Sequence, residues 1–191
     1  MKNFICEYKN SLTKEQCEYI ISWFESHPNL HSSGQQGDGE VDPGKKDSTD
    51  IGLWFDRPDP PDSYDVNKCI WNACCDGLKK YTKKFPEVDW GIYPWRMVTK
   101  YNLQRYYPNQ GYHKLHCEKN GKQVSDRVMA WMIYLNTVTD KGQTYFPQHQ
   151  VKVKAERGKL VLWPAGWTHF HKGIASKTQT KYIATGWISF T

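Results

Sequence analysis

Two periodicities divide the chain. Near the N-terminus Cys17, Ile20, Ile21 and Phe24 fall at i, i+3, i+4 and i+7, an apolar stripe of helical spacing. Thr13-Lys14-Glu15-Gln16 just before it has the residue types of a capping box, so a helix is predicted to start there. Val66, Ile70, Ala73, Cys74 and Leu78 line a second helix over about 63–84, which Pro86 ends. From about residue 95 the texture turns to strands. Trp95–Tyr107 is β-compatible, and Val128–Leu135 is apolar on both faces, as in a buried strand. Val151-Lys152-Val153-Lys154 alternates, and Leu160–Trp163 and Tyr182–Phe190 complete the set. Turn sequences separate these runs at Pro108-Asn109-Gln110-Gly111, Asn120-Gly121, Lys141-Gly142, Arg157-Gly158 and Pro164-Ala165-Gly166. Two helices leading into many short strands predict an α+β fold with a double-sheet β core.

Residues 31–63 interrupt this order. They are rich in Gly, Ser, Asp and Pro and read as a long loop, with Ile51–Phe55 as a short ordered strand inside it. Two readings stand: mobile surface, or a lid that folds over a bound peptide and grips it with Trp54 and Phe55.

The 191 residues are expected to form one domain, 1–191, with 1–94 as helical support and mobile loop and 95–191 as the core. Nine Trp, twelve Tyr and seven Phe supply enough apolar area to fold without disulfides. The spacing of Cys6, Cys17, Cys69, Cys74, Cys75 and Cys117 matches neither a zinc motif nor a secreted framework. Reduced thiols and a cytoplasmic location are therefore expected. Neither a signal pattern nor an apolar run of membrane-spanning length occurs. Net charge is +6, unevenly placed: nine acids against three bases between Asp38 and Asp65 leave that stretch near −6 and the rest near +12. The excess is mostly Lys, with no tight Arg/Lys run, which argues against a nucleic-acid partner and suits a small dianionic substrate.

In an extended strand His116 and Glu118 project to the same face, with Cys117 turned away. One imidazole and one carboxylate suit Fe(II). The second imidazole comes from His169 or His171, themselves an i, i+2 pair. Two His and one carboxylate leave three octahedral positions free.

The order of motifs resembles a known family. Tyr106-Tyr107-Pro108-Asn109-Gln110-Gly111-Tyr112 leads into His116-Cys117-Glu118. Tyr134-Leu135-Asn136 and Gly142-Gln143-Thr144-Tyr145-Phe146-Pro147 follow, then His171-Lys172-Gly173, Lys181 and Gly186-Trp187-Ile188. Over roughly 95–190 this is similar to the Fe(II)/2-oxoglutarate-dependent dioxygenases of the prolyl 4-hydroxylase-like branch. The resemblance implies a double-stranded β-helix (jelly-roll) core flanked by N-terminal helices. It implies His116, Glu118 and His171 as iron ligands, His171 being preferred because it stands ten residues before the basic residue. Lys181 would pair with the far carboxylate of 2-oxoglutarate, helped by the hydroxyls of Tyr106 and Thr144, and Trp187 would lie beside the site. The implied reaction uses dioxygen and 2-oxoglutarate, with ascorbate as an accessory reductant. It releases succinate and CO2 and hydroxylates a C–H bond, that of a prolyl residue in a peptide or protein.

Two departures stand out: Glu118 where most members carry Asp, and Lys141 where the first of two glycines is common. Arg105, Arg127, Trp131 and Tyr134 are further pocket-wall candidates, and His113 and His149 read as surface residues. Competing readings are a hydroxylase of a free amino acid or small molecule, a cupin-like metal enzyme that uses no 2-oxo acid, and a non-catalytic binding module.

Overall fold

The computed structural model describes residues 2–36, 39–88 and 94–190. The first element after a short strand β1 (Cys6–Tyr8) is helix α1 (Lys14–Ser26), which starts at the capping box. The Thr13 hydroxyl accepts from the Gln16 amide at 3.2 Å, and the Gln16 side chain accepts from the Thr13 amide at 2.9 Å. Strands β2 (Ser32–Ser33) and β3 (Thr49–Trp54) precede the second helix, α2 (Tyr64–Lys84). Then come β4 (Trp95–Met97), β5 (Lys100–Tyr106), β6 (Arg127–Tyr134), β7 (Thr144–Phe146), β8 (Val151–Val153), β9 (Leu160–Pro164), β10 (Lys172–Gly173) and β11 (Lys181–Phe190).

The strands form two sheets. The larger runs β1-β9-β6-β11-β5-β3-β2, with β4 beside the C-terminal end of β11; the smaller is β10-β7-β8. Neighbours pair antiparallel throughout. Strand alternation divides the core in two. On β6, Met129, Trp131 and Ile133 join the layer packed under α1 and α2, with Ile20, Phe24, Ile70 and Tyr81. Ala130, Met132 and Tyr134 turn into the space between the sheets, beside Phe146, Val161, Trp163 and Ile183. This is the α+β fold with a double-sheet core that the pattern predicts and the jelly roll with N-terminal helices that the resemblance implies, and the site lies in the second layer.

The sequence boundary at 94 needs correction. β1 and β3, both from the part read as support, are strands of the main sheet, and β3 pairs with β5 over six residues from Thr49↔Arg105 to Trp54↔Lys100. The 31–63 stretch is therefore largely built in; residues 37 and 38 fall outside the described ones. Its approach to β3 is pinned by backbone bonds from Asp47 N to Gly111 O and from His113 N to Lys45 O. Trp54 and Phe55 are occupied as well. Phe55 stacks on Tyr101 with centroids 4.4 Å apart, and the cations of Arg57 and Lys100 lie over Trp54 at 4.7 and 5.4 Å. Among the described residues no helix is long and apolar enough to cross a membrane, and all six cysteines are free thiols.

Candidate metal and co-substrate site

His116 and His171 face each other as an isolated antiparallel bridge, not within a regular strand. Each donates its amide to the other's carbonyl, at 3.0 and 2.8 Å. That exchange holds the chain extended locally, so the i, i+2 logic still brings Glu118 onto the His116 side while Cys117 is buried. The ligand atoms of His116, Glu118 and His171 lie within 4.8 Å of one another. Glu118 Oε1 is 3.6 Å from His116 Nε2 and 3.2 Å from His171 Nε2.

The second nitrogens fix the tautomers. His116 Nδ1 is 2.8 Å from Lys114 O, and His171 Nδ1 is 3.0 Å from His169 O. A carbonyl can only accept, so both Nδ1 atoms carry protons and both Nε2 lone pairs point at Glu118. Burial draws the His171 imidazole below its ordinary value, favouring the neutral ring. Burial would raise the Glu118 carboxyl, but where His116 or His171 also carries an Nε2 proton, its hydrogen bond and charge outweigh that and hold the group well below the carboxylate range. Two lone pairs and an anionic oxygen cannot share this space without a positive charge between them. A proton on one imidazole serves in the metal-free protein, and a divalent cation satisfies all three at once. Two His and one carboxylate with open positions is the donor set of non-haem Fe(II), so these residues fit that metal.

Glu118 is held from behind. Trp187 Nε1 donates to Oε2 at 2.7 Å, leaving Oε1 toward the imidazoles. Arg127 stacks its guanidinium 3.8 Å over the Trp187 ring, lies 3.8 Å from Oε2 and donates to the Glu118 carbonyl at 3.1 Å. Trp187 thus lies beside the site and orients Glu118, whose longer side chain has a partner suited to its reach. Tyr112 stacks on His116 at 3.7 Å between centroids, while Trp163 and Phe146 pack against His171 at 5.0 and 5.3 Å.

Lys181 opens β11 and pairs in register with Tyr106. It is 5% exposed, and its ammonium meets the Gly142 carbonyl at 3.4 Å and the Tyr106 ring, 4.8 Å from the centroid. Among the described residues no carboxylate pairs with it, and burial lowers its pKa from 10.5 to about 8. A Cβ added at Gly173 would stand 3.7 Å from Lys181 Nζ. Gly173 follows His171 by two residues, roughly 7 Å along an extended chain. Lys181 is thus brought beside the segment that carries His171.

The two expected hydroxyls differ. Tyr106 OH donates to Gln104 Oε1 at 2.7 Å, and Gln104 is held in that orientation because its Nε2 donates to Asp50. Asp50 in turn accepts from Lys46 and Ser48, at 2.6 and 2.7 Å. Tyr106 thus offers Lys181 its ring but has already given away its proton. Thr144 Oγ1 is 2.7 Å from Tyr134 OH. With Tyr134 donating to it, the Thr144 hydroxyl has, among the described residues, the weak Met132 sulfur acceptor at 3.9 Å for its own proton, which an incoming carboxylate would replace.

His169, the other imidazole candidate, is not brought to the site: its Nε2 bonds to Asn3 O at 2.7 Å and its Nδ1 to Thr168 Oγ1 at 2.8 Å. Arg105 turns away to Glu25, at 2.7 Å, and Trp131 belongs to the helix-side core. Tyr134 and Arg127 do reach the site. The Lys46–Asp50–Gln104 chain carried no signal beyond Gln104 sharing a strand face with Tyr106.

A jelly roll with two imidazoles, a carboxylate and a buried cation is the arrangement that the sequence resemblance implies. Residues 101–189 match the family model described as the 2OG-Fe(II) oxygenase superfamily. Over 100 residues the chain is 34% identical to an Acanthamoeba polyphaga mimivirus protein named "Putative prolyl 4-hydroxylase"; the match covers 44% of this chain and 41% of that protein. A Pseudomonas putida prolyl-4-hydroxylase structure superposes with a TM-score of 0.73 at 16% identity, covering 98% of this chain and 94% of the other. A Trichoplax adhaerens prolyl hydroxylase in complex with a hypoxia inducible factor peptide fragment gives 0.72 at 17%, covering 98% and 84%. A viral collagen prolyl hydroxylase from Paramecium Bursaria Chlorella virus-1, a 2OG complex, gives 0.67 at 17%, covering 98% and 96%. The shared fold is that of these prolyl hydroxylase structures, and the family-model match covers a little under half of the chain.

Proposed function

We propose that this protein binds Fe(II) through His116, Glu118 and His171 and 2-oxoglutarate through Lys181 and Thr144, and hydroxylates a prolyl residue of a peptide or protein. The observation that carries the reading is the buried ammonium of Lys181, which has no carboxylate partner among the described residues. A buried charge is costly without a counter-ion. The far carboxylate of a bound 2-oxo acid supplies one. Bound Fe(II) supplies the dioxygen chemistry that converts 2-oxoglutarate to succinate and CO2 and hydroxylates a C–H bond. The chain's own part is placement. Trp187 and Arg127 hold Glu118, the Lys114 and His169 carbonyls hold the imidazoles, and Phe146, Trp163 and Ile183 keep water from the inner wall. Leu115 and Trp167, 46% and 75% exposed beside two of the ligands, leave apolar surface for a polypeptide and favour it over a free amino acid.

Anaerobic addition of 2-oxoglutarate to the Fe(II)-loaded protein tests the site. A visible charge-transfer band is expected, absent in His171→Ala, followed by succinate formation with proline peptides and oxygen. Iron binding without the band would favour a cupin-like enzyme that uses no 2-oxo acid, and no iron binding would favour a binding module.

A further inference from the structure

A cleft of about 460 Å³ lies between the turn that follows Glu118 and the turn that precedes His171. Lys119, Asn120 and Lys122 form one wall, Gly166 and Trp167 the other. Both walls run directly into the metal site: Lys119 is the residue after Glu118, and Trp167 stands four residues before His171. They are tied together, since the amides of Glu118 and Lys119 both donate to Ala165 O, at 3.1 and 2.9 Å. Whatever occupies the cleft is therefore held beside the ligands.

The chemistry of the walls is uneven. Among the described residues that line the cleft none is acidic, and neither Lys119 nor Lys122 forms an ion pair with a described residue. Trp167 keeps its indole in solvent, while its backbone carbonyl is occupied by Gln148 Nε2 at 3.0 Å. An uncovered indole beside two unpaired ammonium groups suits an extended segment with carboxylates and an apolar or proline ring. The charge distribution agrees, because the chain outside Asp38–Asp65 carries the whole positive excess. Two lysines without an arginine are a poor match for nucleic acid, which is bound through a larger clustered basic face.

We propose that this cleft receives the acidic flank of the peptide substrate, placing one or two Glu or Asp side chains on Lys119 and Lys122 and a neighbouring ring on Trp167. The proposal rests on the hydroxylase reading and names its substrate class: proline-containing segments with acidic flanks.

The test uses fluorescein-labelled peptides that share a central proline and differ only in flanking Glu, Gln or Lys. Binding is read by anisotropy with Fe(II) and 2-oxoglutarate under nitrogen, and succinate is assayed separately in air. The Glu peptide is expected to bind about fivefold to tenfold tighter than the Gln peptide at low salt, the gain of two exposed ion pairs. The preference should shrink as salt rises. Lys119→Glu with Lys122→Glu should reverse it toward the Lys peptide without altering the 2-oxoglutarate charge-transfer band. Trp167→Ala should weaken all three peptides together. Equal binding of the three peptides overturns the proposal even where succinate forms, as does an unchanged preference in the double variant. Tighter binding of a single-stranded oligonucleotide than of the Glu peptide also overturns it. Charge-selective binding that reverses in the double variant supports the cleft assignment even without succinate, an outcome that would remove the hydroxylase reading alone.

Discussion

Replacing Lys181 by Met should make the protein more stable and blind to 2-oxoglutarate. Burial without a counter-ion lowers the ammonium from 10.5 to about 8. At about 1.36 kcal/mol per pKa, keeping the charge at neutral pH costs about 3 kcal/mol. The sign follows from proton counting. Between about pH 8 and 10.5 the unfolded chain holds the proton and the native state does not, so stability rises with pH across that window. Below about 8 the cost is fully present. Met removes the charge and keeps most of the stem. It forfeits the Tyr106 ring contact and the bond to Gly142 O, together about 1–2 kcal/mol. The net gain at pH 7 is about 1 kcal/mol or more, about 2–4 °C in Tm for a chain of this size. Calorimetric melts from pH 6.5 to 10.5, with and without 2-oxoglutarate, check this. The native protein should gain stability from 2-oxoglutarate at pH 7, and without it should gain as pH rises toward 10.5. Lys181→Met should lack both of these responses. A variant less stable than the native protein at pH 7, or one stabilised equally by 2-oxoglutarate, would refute the reasoning.

Three further outcomes follow from the site. Trp187→Phe removes the bond that holds Glu118 and should weaken Fe(II) binding about 10- to 100-fold, as loss of an outer partner does, measured by competition with a chromophoric chelator. Thr144→Val should raise the KM for 2-oxoglutarate well above the effect of Tyr106→Phe, because Tyr106 has already given its proton to Gln104; equal effects in succinate assays would contradict that assignment. Lys141 sits at φ 62° ahead of Gly142, where a side chain is strained, so Lys141→Gly should stabilise the fold by about 1 kcal/mol in urea titration and leave KM unchanged.

What the sequence showed depended on how local the determining contacts were. Helix α1 was legible because its cap is made by Thr13 and Gln16, three residues apart. The strands from β5 to β11 were legible because alternation is a property of each strand alone. β3 was only half seen. Its pairing with β5 spans some fifty residues, and Asp50, a charge facing the interior, argues against a core strand until Lys46, Ser48 and Gln104 are seen to satisfy it. Choosing between His169 and His171 had the same character. The spacing to Lys181 favoured His171, but what removes His169 is a bond to Asn3, 166 residues away. The parity of Lys181, Ile183 and Trp187 on one face of β11 could be read directly. That Trp187 reaches Glu118 could not, since Glu118 lies outside the regular strands.

The two charged features of the site argue for discrimination as well as binding. Glu118 is provided for, with both imidazoles on one oxygen and Trp187 on the other. Lys181 has no carboxylate partner among the described residues, in a structure that pairs two other buried lysines, Lys46 with Asp50 and Lys159 with Glu7. A 2-oxo acid without the second carboxylate, such as pyruvate, could still present its keto and carboxyl oxygens to a metal but would leave the ammonium buried and bare. A site built to hydrogen-bond a group rejects the analogue that lacks it more strongly than an apolar pocket rejects a missing methylene. On the proposed function, the stability surrendered at Lys181 would be the means by which this cavity selects a dicarboxylate. It would also account for the Tyr106 hydroxyl being given up to the Gln104–Asp50 chain: one desolvated cation with a ring beneath it would need a single added hydroxyl, that of Thr144, to bind the carboxylate.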